Sequence, residues 1–508
     1  MKAMNTFLAI MSALAIFSCS GKEDTLPKEE TVSLSVSQKS FSIEATATSV
    51  TLTVTSSKAP SVVSQDLWLS RTIGTFSSNT TSVEIKAEEN TSSDERIGSL
   101  KVICGEENVV LSVTQKGKET AITDPCPDVK PIDNDAYALA KKLGMGWNLG
   151  NQMDAYSNGV SNETCWGNSK ATQATFDGVK AKGFTSVRIP ITWLGHIGAA
   201  PDYKIDEAWM NRVAEIVGYA EKAGLYAVIN IHHDGSDSKY WLDIVSASKD
   251  AAKQTAVIEE IKAVWGQIAE RFKSKGAFLI FESFNEIQDG KWGWGTNLTD
   301  GGKQYKCLNE WNQAFVDKVR ASGGENASRY LVVPGYCTNP TLTIETLTLP
   351  DDSAKGKLIV SVHCYDPSSY TLEGEFSEWG HSGTAGKKPD SGESDIISLY
   401  SRLRDKFTAN NIPVIIGETG CGNRATAREL LFRNYYLEFT YKAAKAYGLV
   451  PFIWDNGSTG TGKETNGFIN HGTGEYVING KEAVQAMKKA IFTEDDSYTL
   501  SSIYNAAP

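Results

Sequence analysis

A chain of 508 residues with 41% hydrophobic and 22% charged residues is long enough for two or three domains and ordinary for a globular protein. The net charge of −11, without any sustained basic run, argues against nucleic acid as the main partner. Twelve Trp, 19 Tyr and 18 Phe suit both a large core and sugar-stacking surfaces. Composition does not separate the two.

The N-terminus reads as an address. Lys2 precedes an apolar run from Phe7 to Phe17, too short for a permanent membrane span, and then Ser18-Cys19-Ser20. A Cys at the cleavage point resembles the bacterial lipoprotein signal, which implies lipidation of Cys19 and a mature chain starting there. The expected address is the cell envelope, at the outer membrane and its exposed face, with the membrane met only through the lipid. Residues 1–19 are then signal and 20–30 a polar, flexible tether.

Between residues 31 and 117 the pattern is period-2 alternation, as in Val32, Leu34 and Val36, in Val50, Leu52 and Val54, and in Val109, Leu111 and Val113. Short alternating runs between Ser, Thr and Asn turns predict a small antiparallel β-sandwich. Trp68, Asp94-Glu95-Arg96-x-Gly98 and Thr114-Gln115-Lys116-Gly117 resemble the immunoglobulin-like module found at the N-terminus of many Bacteroidetes proteins. That family's name proposes carbohydrate binding, but no strand face here gathers aromatics, so a spacer role is expected. Residues 118–133, with Pro125, Pro127 and Pro131, read as a stiff linker.

From residue 134 to 495 strand and helix patterns alternate. Strands are expected at Leu143–Leu149, Phe184–Ile189, Leu225–His232, Phe278–Phe284, Tyr330–Val333, Lys357–Cys364, Ile412–Gly417 and Val450–Trp454. Helical spacing appears in Met210, Val213 and Val217, in Ile258, Ile261, Trp265, Ile268 and Phe272, and in Leu308, Trp311 and Phe315. The crossover after Val333 shows the weakest helical pattern. Eight such repeats predict an α/β fold, a (β/α)8 TIM barrel preceded by the small all-β module. Residues 496–508 read as a C-terminal tail.

Polar and aromatic residues collect at the C-terminal strand ends, where such barrels place their chemistry. They are Asn148 and Asn151, Arg188, His232 and His233, Asn285 and Glu286, His363 and Tyr365, Glu418, and Trp454. Glu286 and Glu418, on strands four and seven, face each other across the mouth. Two opposed carboxylates are the equipment for hydrolysing a glycosidic bond, one as proton donor and the other as nucleophile or base. His232 and His233 are adjacent, and successive strand side chains point to opposite faces, so they are not read as a metal pair.

These residues carry a resemblance to glycoside hydrolase family 5. Phe284-Asn285-Glu286, Ile416-Gly417-Glu418, Arg188 in VRIPITW, His232 in INIHHD, His363-x-Tyr365 in SVHCYDP and Trp454 fall on its motif positions. GWNLGN at 146–151, ETCWGN at 163–168 and the stretch from Pro201 to Met210 resemble subfamily 4, mostly endo-β-1,4-glucanases that include xyloglucan and mixed-linkage glucan specialists. Gln152-Met153, Ser169, Cys364 and Thr419 depart from the usual pattern and leave substrate preference open.

The resemblance implies double displacement with retention, Glu418 attacking and Glu286 acting as acid and then base. Arg188 and Tyr365 would aim Glu418, and Asn285 would hold the sugar 2-hydroxyl. His232, His233, His363 and Asn151 would position sugar hydroxyls, and Trp454 would stack on the reacting sugar. No cofactor or metal is implied, the partner is a β-glucan polysaccharide, and a monomer is expected. The alternatives are a β-mannanase or another β-glycanase of the family and, from a different class, a non-catalytic surface glycan-binding lipoprotein.

Eight Cys show no CxxC or metal-ligand spacing, so free or buried thiols are expected, though export would allow a disulfide at Cys126 or Cys165.

Overall fold

The computed structural model describes residues 32–118, apart from 65 and 93, and residues 125–508. The signal, Cys19, the tether and part of the expected linker lie outside the described residues. The chain divides into two compact units, meeting between Thr123 and Asp124. No helix among the described residues is long and apolar enough to cross a membrane.

The first unit stacks two four-stranded sheets. One holds Leu34–Val36, Thr48–Ser56, Thr80–Ala87 and Leu69–Ile73, and the other Ser40–Ile43, Glu107–Gln115, Arg96–Cys104 and Ser61–Ser64. Inward residues of both sheets, among them Leu52, Val54, Val83, Leu100, Val102, Leu111 and Val113, form its core. One pairing departs from the antiparallel expectation, because Ser40–Ile43 runs parallel to Ser112–Gln115. The motif residues have structural tasks. A Cβ on Gly98 would sit 2.6 Å from the Trp68 ring, so only glycine lets the indole lie there, and the Arg96 guanidinium stacks 4.2 Å from that ring. Gln115 is fully buried, accepts from Arg96 Nε at 2.9 Å and donates to the Ala45 and Glu88 carbonyls at 3.1 and 3.0 Å.

The second unit is a closed parallel barrel of eight strands. In order they are Gly146–Leu149, Ser186–Ile189, Tyr226–Ile229, Leu279–Glu282, Leu331–Pro334, Leu358–His363, Val414–Thr419 and Leu449–Asp455. Strand eight closes on strand one with Phe452 opposite Gly146 and Trp454 opposite Asn148. The helices between strands include Glu207–Ala223, Ala251–Arg271, Lys303–Ala321, Glu393–Lys406 and Ala427–Tyr447. After strand five there is only Pro340–Thr346, a short helix that accounts for the weak periodicity there.

Alternation along the strands sorts the interior. Val228, Ile280, Val332, Ile359, Ile415, Val450 and Phe452 form an apolar layer with Leu139 and Leu143 of helix Asp135–Leu143. Gly146 makes room for it, since a Cβ there would lie 2.2 Å from the Phe452 ring.

Two boundaries differ from expectation. Cys126 is fully buried in the barrel core and Asp128 accepts from Leu500 N at 3.0 Å, so 125–133 is docked on this unit rather than being linker. The expected tail forms helix Leu500–Asn505, whose Leu500 and Ile503 are buried and whose Tyr504 stacks on His381. Two apolar anchors inside a polar stretch are too few for a periodic signal. Among the cysteines, Cys165 is an exposed thiol, and Cys104, Cys307, Cys337, Cys364 and Cys421 are buried, unbridged thiols.

Candidate active site

The site is assembled around Arg188, which strand two carries into the barrel interior with no exposed surface. Its guanidinium donates to Glu282 Oε2 at 2.7 Å, Glu418 Oε1 at 2.8 Å, Asn285 Oδ1 at 2.8 Å and Asn148 Oδ1 at 3.1 Å. A buried guanidinium needs such a set, because each unsatisfied donor would carry its full desolvation cost. The two carboxylates hold Arg188 charged against burial, which works the other way. Glu282 is itself fixed by Ser361 Oγ at 2.8 Å and Asn230 Nδ2 at 3.0 Å, and Asn148 also donates to the Gly417 carbonyl at 2.9 Å.

Glu418 stands above this layer. Its Oε2 accepts from Tyr365 Oη at 3.0 Å while its Oε1 is held by Arg188. The strand-six and strand-seven pairing shifts register at His363, the strand-seven and strand-eight pairing shifts between Ile416 and Thr419, and such bulges re-aim side chains at a barrel rim. Gly417 permits the crowding, since a Cβ there would meet Ser361 Oγ at 2.9 Å and His363 Nε2 at 3.1 Å. Burial pushes the Glu418 carboxyl up, His363 and Arg188 pull it down, and the nearby Glu286 charge adds to the rise. Burial, reinforced by the Glu418 charge, holds Tyr365 well above the usual phenol range, so it stays a donor.

Glu286 follows strand four. Its Oε1 lies 2.7 Å from His363 Nδ1, which is also 3.6 Å from Glu418 Oε2, and ligand-type atoms of Glu286, His363 and Glu418 all lie within 4.8 Å of one another. Glu286 is the more exposed carboxylate, 20% against 7% for the side chain of Glu418. Asn285 is buried, and its oxygen is held by Arg188.

His232 Nε2 is 3.9 Å from Glu418 Oε1, and its Nδ1 lies 3.2 Å from Asn230 Nδ2. Burial, with the His233, Arg188 and His363 charges behind it, keeps the His232 imidazole well below the usual range and therefore neutral. Trp454 lies parallel to the His232 ring, with centroids 6.0 Å apart and planes 4° apart.

The strand-alternation argument for His232 and His233 does not hold. Strand three ends at Ile229, so both residues lie beyond the pleat, and their rings meet edge to face at 4.4 Å. His233 Nε2 is 3.6 Å from Asp154 Oδ2, and Asp154, His232 and His233 form a second group with ligand-type atoms within 4.8 Å. Asp154 already accepts from the Asn151 and Gln152 amides at 3.1 and 2.7 Å, which fixes it as a loop anchor. In the Glu286–His363–Glu418 group, Arg188 held 2.8 Å from Glu418 opposes a second cation. Asn151, in a left-handed turn with φ of 54°, donates its amide to the Asp154 oxygen that His233 also approaches, and makes no hydrogen bond to Arg188.

Aromatic rings extend from this centre. Tyr156 packs against Trp166, His233 and Tyr240 with centroids 5.5–5.7 Å apart, making a wall from the loops after strands one and three. A family model described as cellulase, glycosyl hydrolase family 5, matches residues 151–460. Endoglucanase A of Paenibacillus barcinonensis is 36% identical over 364 residues, 68% of this chain and 88% of that protein.

The chain belongs to glycosyl hydrolase family 5.

It is therefore a glycoside hydrolase. Among solved structures, a GH5-4 broad specificity endoglucanase from Bacteroides salanitronis is 53% identical with a TM-score of 0.70, covering 72% of this chain and 97% of that one. A Bacteroides ovatus GH5 xyloglucanase in complex with a XXXG heptasaccharide is 30% identical with a TM-score of 0.63, covering 91% of this chain and all of the other.

The structure brings Arg188, His232, Asn285, Glu286, His363, Tyr365, Glu418 and Trp454 together at one end of the barrel, with His233 and Asn151 at its edge. Glu282, Asn230 and Ser361 are additional members that the sequence reading passed over. Glu282 had a signal, as a lone carboxylate inside the apolar run FLIFESF. Gln152, a departure from the family pattern, links His471 at 2.9 Å to Glu163 at 3.1 Å, and Arg212 closes the group on Glu163 at 2.8 Å. His471 in turn reaches Asp455, which holds Trp147 Nε1 at 2.9 Å.

Proposed function

We propose that this family 5 enzyme is an endo-acting hydrolase of plant β-1,4-glucans working by double displacement. Glu286 gives its proton to the glycosidic oxygen as a Glu418 oxygen attacks the anomeric carbon, and the leaving sugar departs. Glu286, now a carboxylate, takes a proton from a water that attacks the same carbon, releasing Glu418 and a product of unchanged configuration. Arg188 and Tyr365 keep Glu418 aimed and anionic. The observation that carries the reading is the spacing: one carboxylate oxygen of Glu286 and one of Glu418 lie within 4.8 Å, which supports the ~5–5.5 Å separation of a nucleophile–acid pair over the ~6.5–9.5 Å of an inverting pair.

Trp454 is the stacking surface for the reacting sugar, and the Tyr156–Trp166 wall continues it for the next units. The aromatic residues that extend from the two carboxylates favour internal cleavage of a cellulose-type, xyloglucan or mixed-linkage chain. The names of the Bacteroides relatives support the same class, and a β-mannanase is the competing specificity. Hydrolysis rates on xyloglucan, barley β-glucan, carboxymethylcellulose and mannan test it, and mannan as the best substrate would overturn the glucan reading. Glu286→Gln and Glu418→Gln each abolishing hydrolysis of the preferred glucan would separate an enzyme from a glycan-binding lipoprotein.

The remaining expectations belong to the same proposal. Cys19 carries a lipid that holds a monomeric enzyme at the outer membrane, and the N-terminal module is a spacer. The Trp68 ring, covered by Arg96 and Gly98, is used internally, which supports a spacer over a sugar platform. Metabolic labelling with a fatty acid, lost in Cys19→Ala, checks the anchor.

A further inference from the structure

Two arginines behind the strand-seven loop are buried without a carboxylate. Arg433 of helix Ala427–Tyr447 has no exposed surface, and Arg424 is 5% exposed. The ion-paired arginines among the described residues are others, namely Arg188, Arg212, Arg320, Arg402 and Arg428. Arg433 Nε donates to the Cys421 carbonyl at 2.9 Å and its Nη1 to the Asn479 carbonyl at 3.2 Å, but its Nη2 meets no protein acceptor. Arg424 Nη1 donates to the Gly422 carbonyl at 3.1 Å and its Nη2 to that of Tyr370, but its Nε meets none. Arg329 shows how a buried arginine without a carboxylate is completed. Its N–H groups reach Asn326 Oδ1 and the Gly276, Leu279, Phe272 and Lys275 carbonyls, which uses every donor a guanidinium has.

The two open donors lie on edges that border Cys421. Nε–H and the adjoining Nη2–H of a guanidinium share one edge, the edge with which Arg320 grips Asp352 at 2.7 and 2.8 Å. In Arg433 that edge reaches the Cys421 carbonyl, and in Arg424 its Nη2 lies 3.9 Å from Cys421 Sγ. Burial pulls the Arg433 guanidinium down to about 10, and the Arg424 charge adds to the fall. The thiol does not balance them, because burial pushes Cys421 up in spite of both guanidiniums and keeps it neutral. Asp455 acts on Arg433 only from a distance, and its oxygens already accept from Trp147 Nε1 at 2.9 Å and the Ile469 and Gly457 amides at 2.8 and 3.0 Å. An unpaired buried charge and an unmet buried donor are each costly.

We propose that the Nε and Nη2 edges of Arg424 and Arg433, beside Cys421, hold a buried halide ion, chloride under ordinary conditions. A single negative charge offsets the pair, and a spherical ion accepts from donors that arrive at different angles. The Tyr370 and Phe468 rings cover the two guanidiniums at 4.7 and 4.6 Å, and both rings are fully buried, so the enclosure suits a small ion rather than a larger anionic molecule. The ion ties together the loops after strands six, seven and eight, which supply Tyr370, Arg424 and Asn479. It also backs the nucleophile. The Tyr365 carbonyl accepts from Thr371 Oγ1, and the Thr371 carbonyl accepts from Gly422 N at 2.9 Å, next to Cys421.

The test uses the full chain, dialysed into halide-free gluconate buffer. Crystals grown with sodium bromide should give an anomalous peak against Arg433 Nη2 and Arg424 Nε at the bromine edge, or at long wavelength where chloride has been retained. Replacing gluconate by chloride at constant ionic strength should raise the melting temperature of the barrel along a saturating curve. The rise should be about 3 °C when chloride stands at about 100 times its Kd. Arg433→Met should abolish that response, and if this variant does not fold, diffraction from the parent chain decides. The absence of any halide peak on those edges in the parent crystals would overturn the site. So would a chloride response of equal size in Arg433→Met.

Discussion

On strands three, four and six, Val228, Ile280 and Ile359 belong to the apolar layer at the floor of the barrel. Two residues further along stand Glu282 and Ser361, on strands four and six, and Asn230, just past the end of strand three, joined by hydrogen bonds into the network around Arg188. One step of strand alternation separates a layer held by apolar burial from a layer of buried charge. The lower layer accounts for stability, since burying such side chains is worth ~1.5–3 kcal/mol each. The upper layer is weak evidence for stability, because desolvating an ion pair can outweigh its attraction. What the upper layer supplies is a fixed place for Glu418.

The sharpest way to break the comparison is at Glu418 itself. Glu418→Gln should lower kcat by more than about three orders of magnitude while the urea midpoint stays level or rises, because burial disfavours the ionised carboxyl. A clear loss of stability with modest loss of activity would reverse the assignment of the two layers. Arg188→Met comes next. It leaves Glu282 charged and buried, so urea denaturation should show a loss of about 3–5 kcal/mol. Adding Glu282→Gln to Arg188→Met should restore much of that stability and none of the activity.

The pH profile reports on Glu418, whose carboxyl burial pushes up. A protonated Glu418 cannot attack, so kcat/KM should fall on the acid side at a higher pH than an exposed glutamate would give. The smallest effect belongs to the floor, where Ile280→Val should cost about 0.5–1.5 kcal/mol and leave kcat/KM near that of the parent chain.

The eight strands were legible because their runs are apolar and bounded by turns, and each observed strand bound lies within three residues of the expected one. Glu286, Glu418, Arg188, His363 and Tyr365 were legible because strand ends collect chemistry. Glu282 was not, because it was counted within a buried run, although a carboxylate there demands a partner and Arg188 in VRIPI was the matching demand. Asp154 was harder, since a loop anchored by backbone amides has no period to read. His232 and His233 were misjudged by extending the pleat past Ile229, where the chain turns toward His233–Ser238. The docked residues 125–133 and the last helix were hidden by polar composition around a few anchors, Cys126, Leu500 and Ile503.

The double-displacement account is tested most directly by following the anomeric proton of the first product by NMR as a soluble glucan is cleaved. The account predicts that the new reducing end appears as the β-anomer and reaches the α–β mixture only later by mutarotation. An α-anomer as the first product would contradict it, and would mean that Glu418 activates water instead of attacking the sugar.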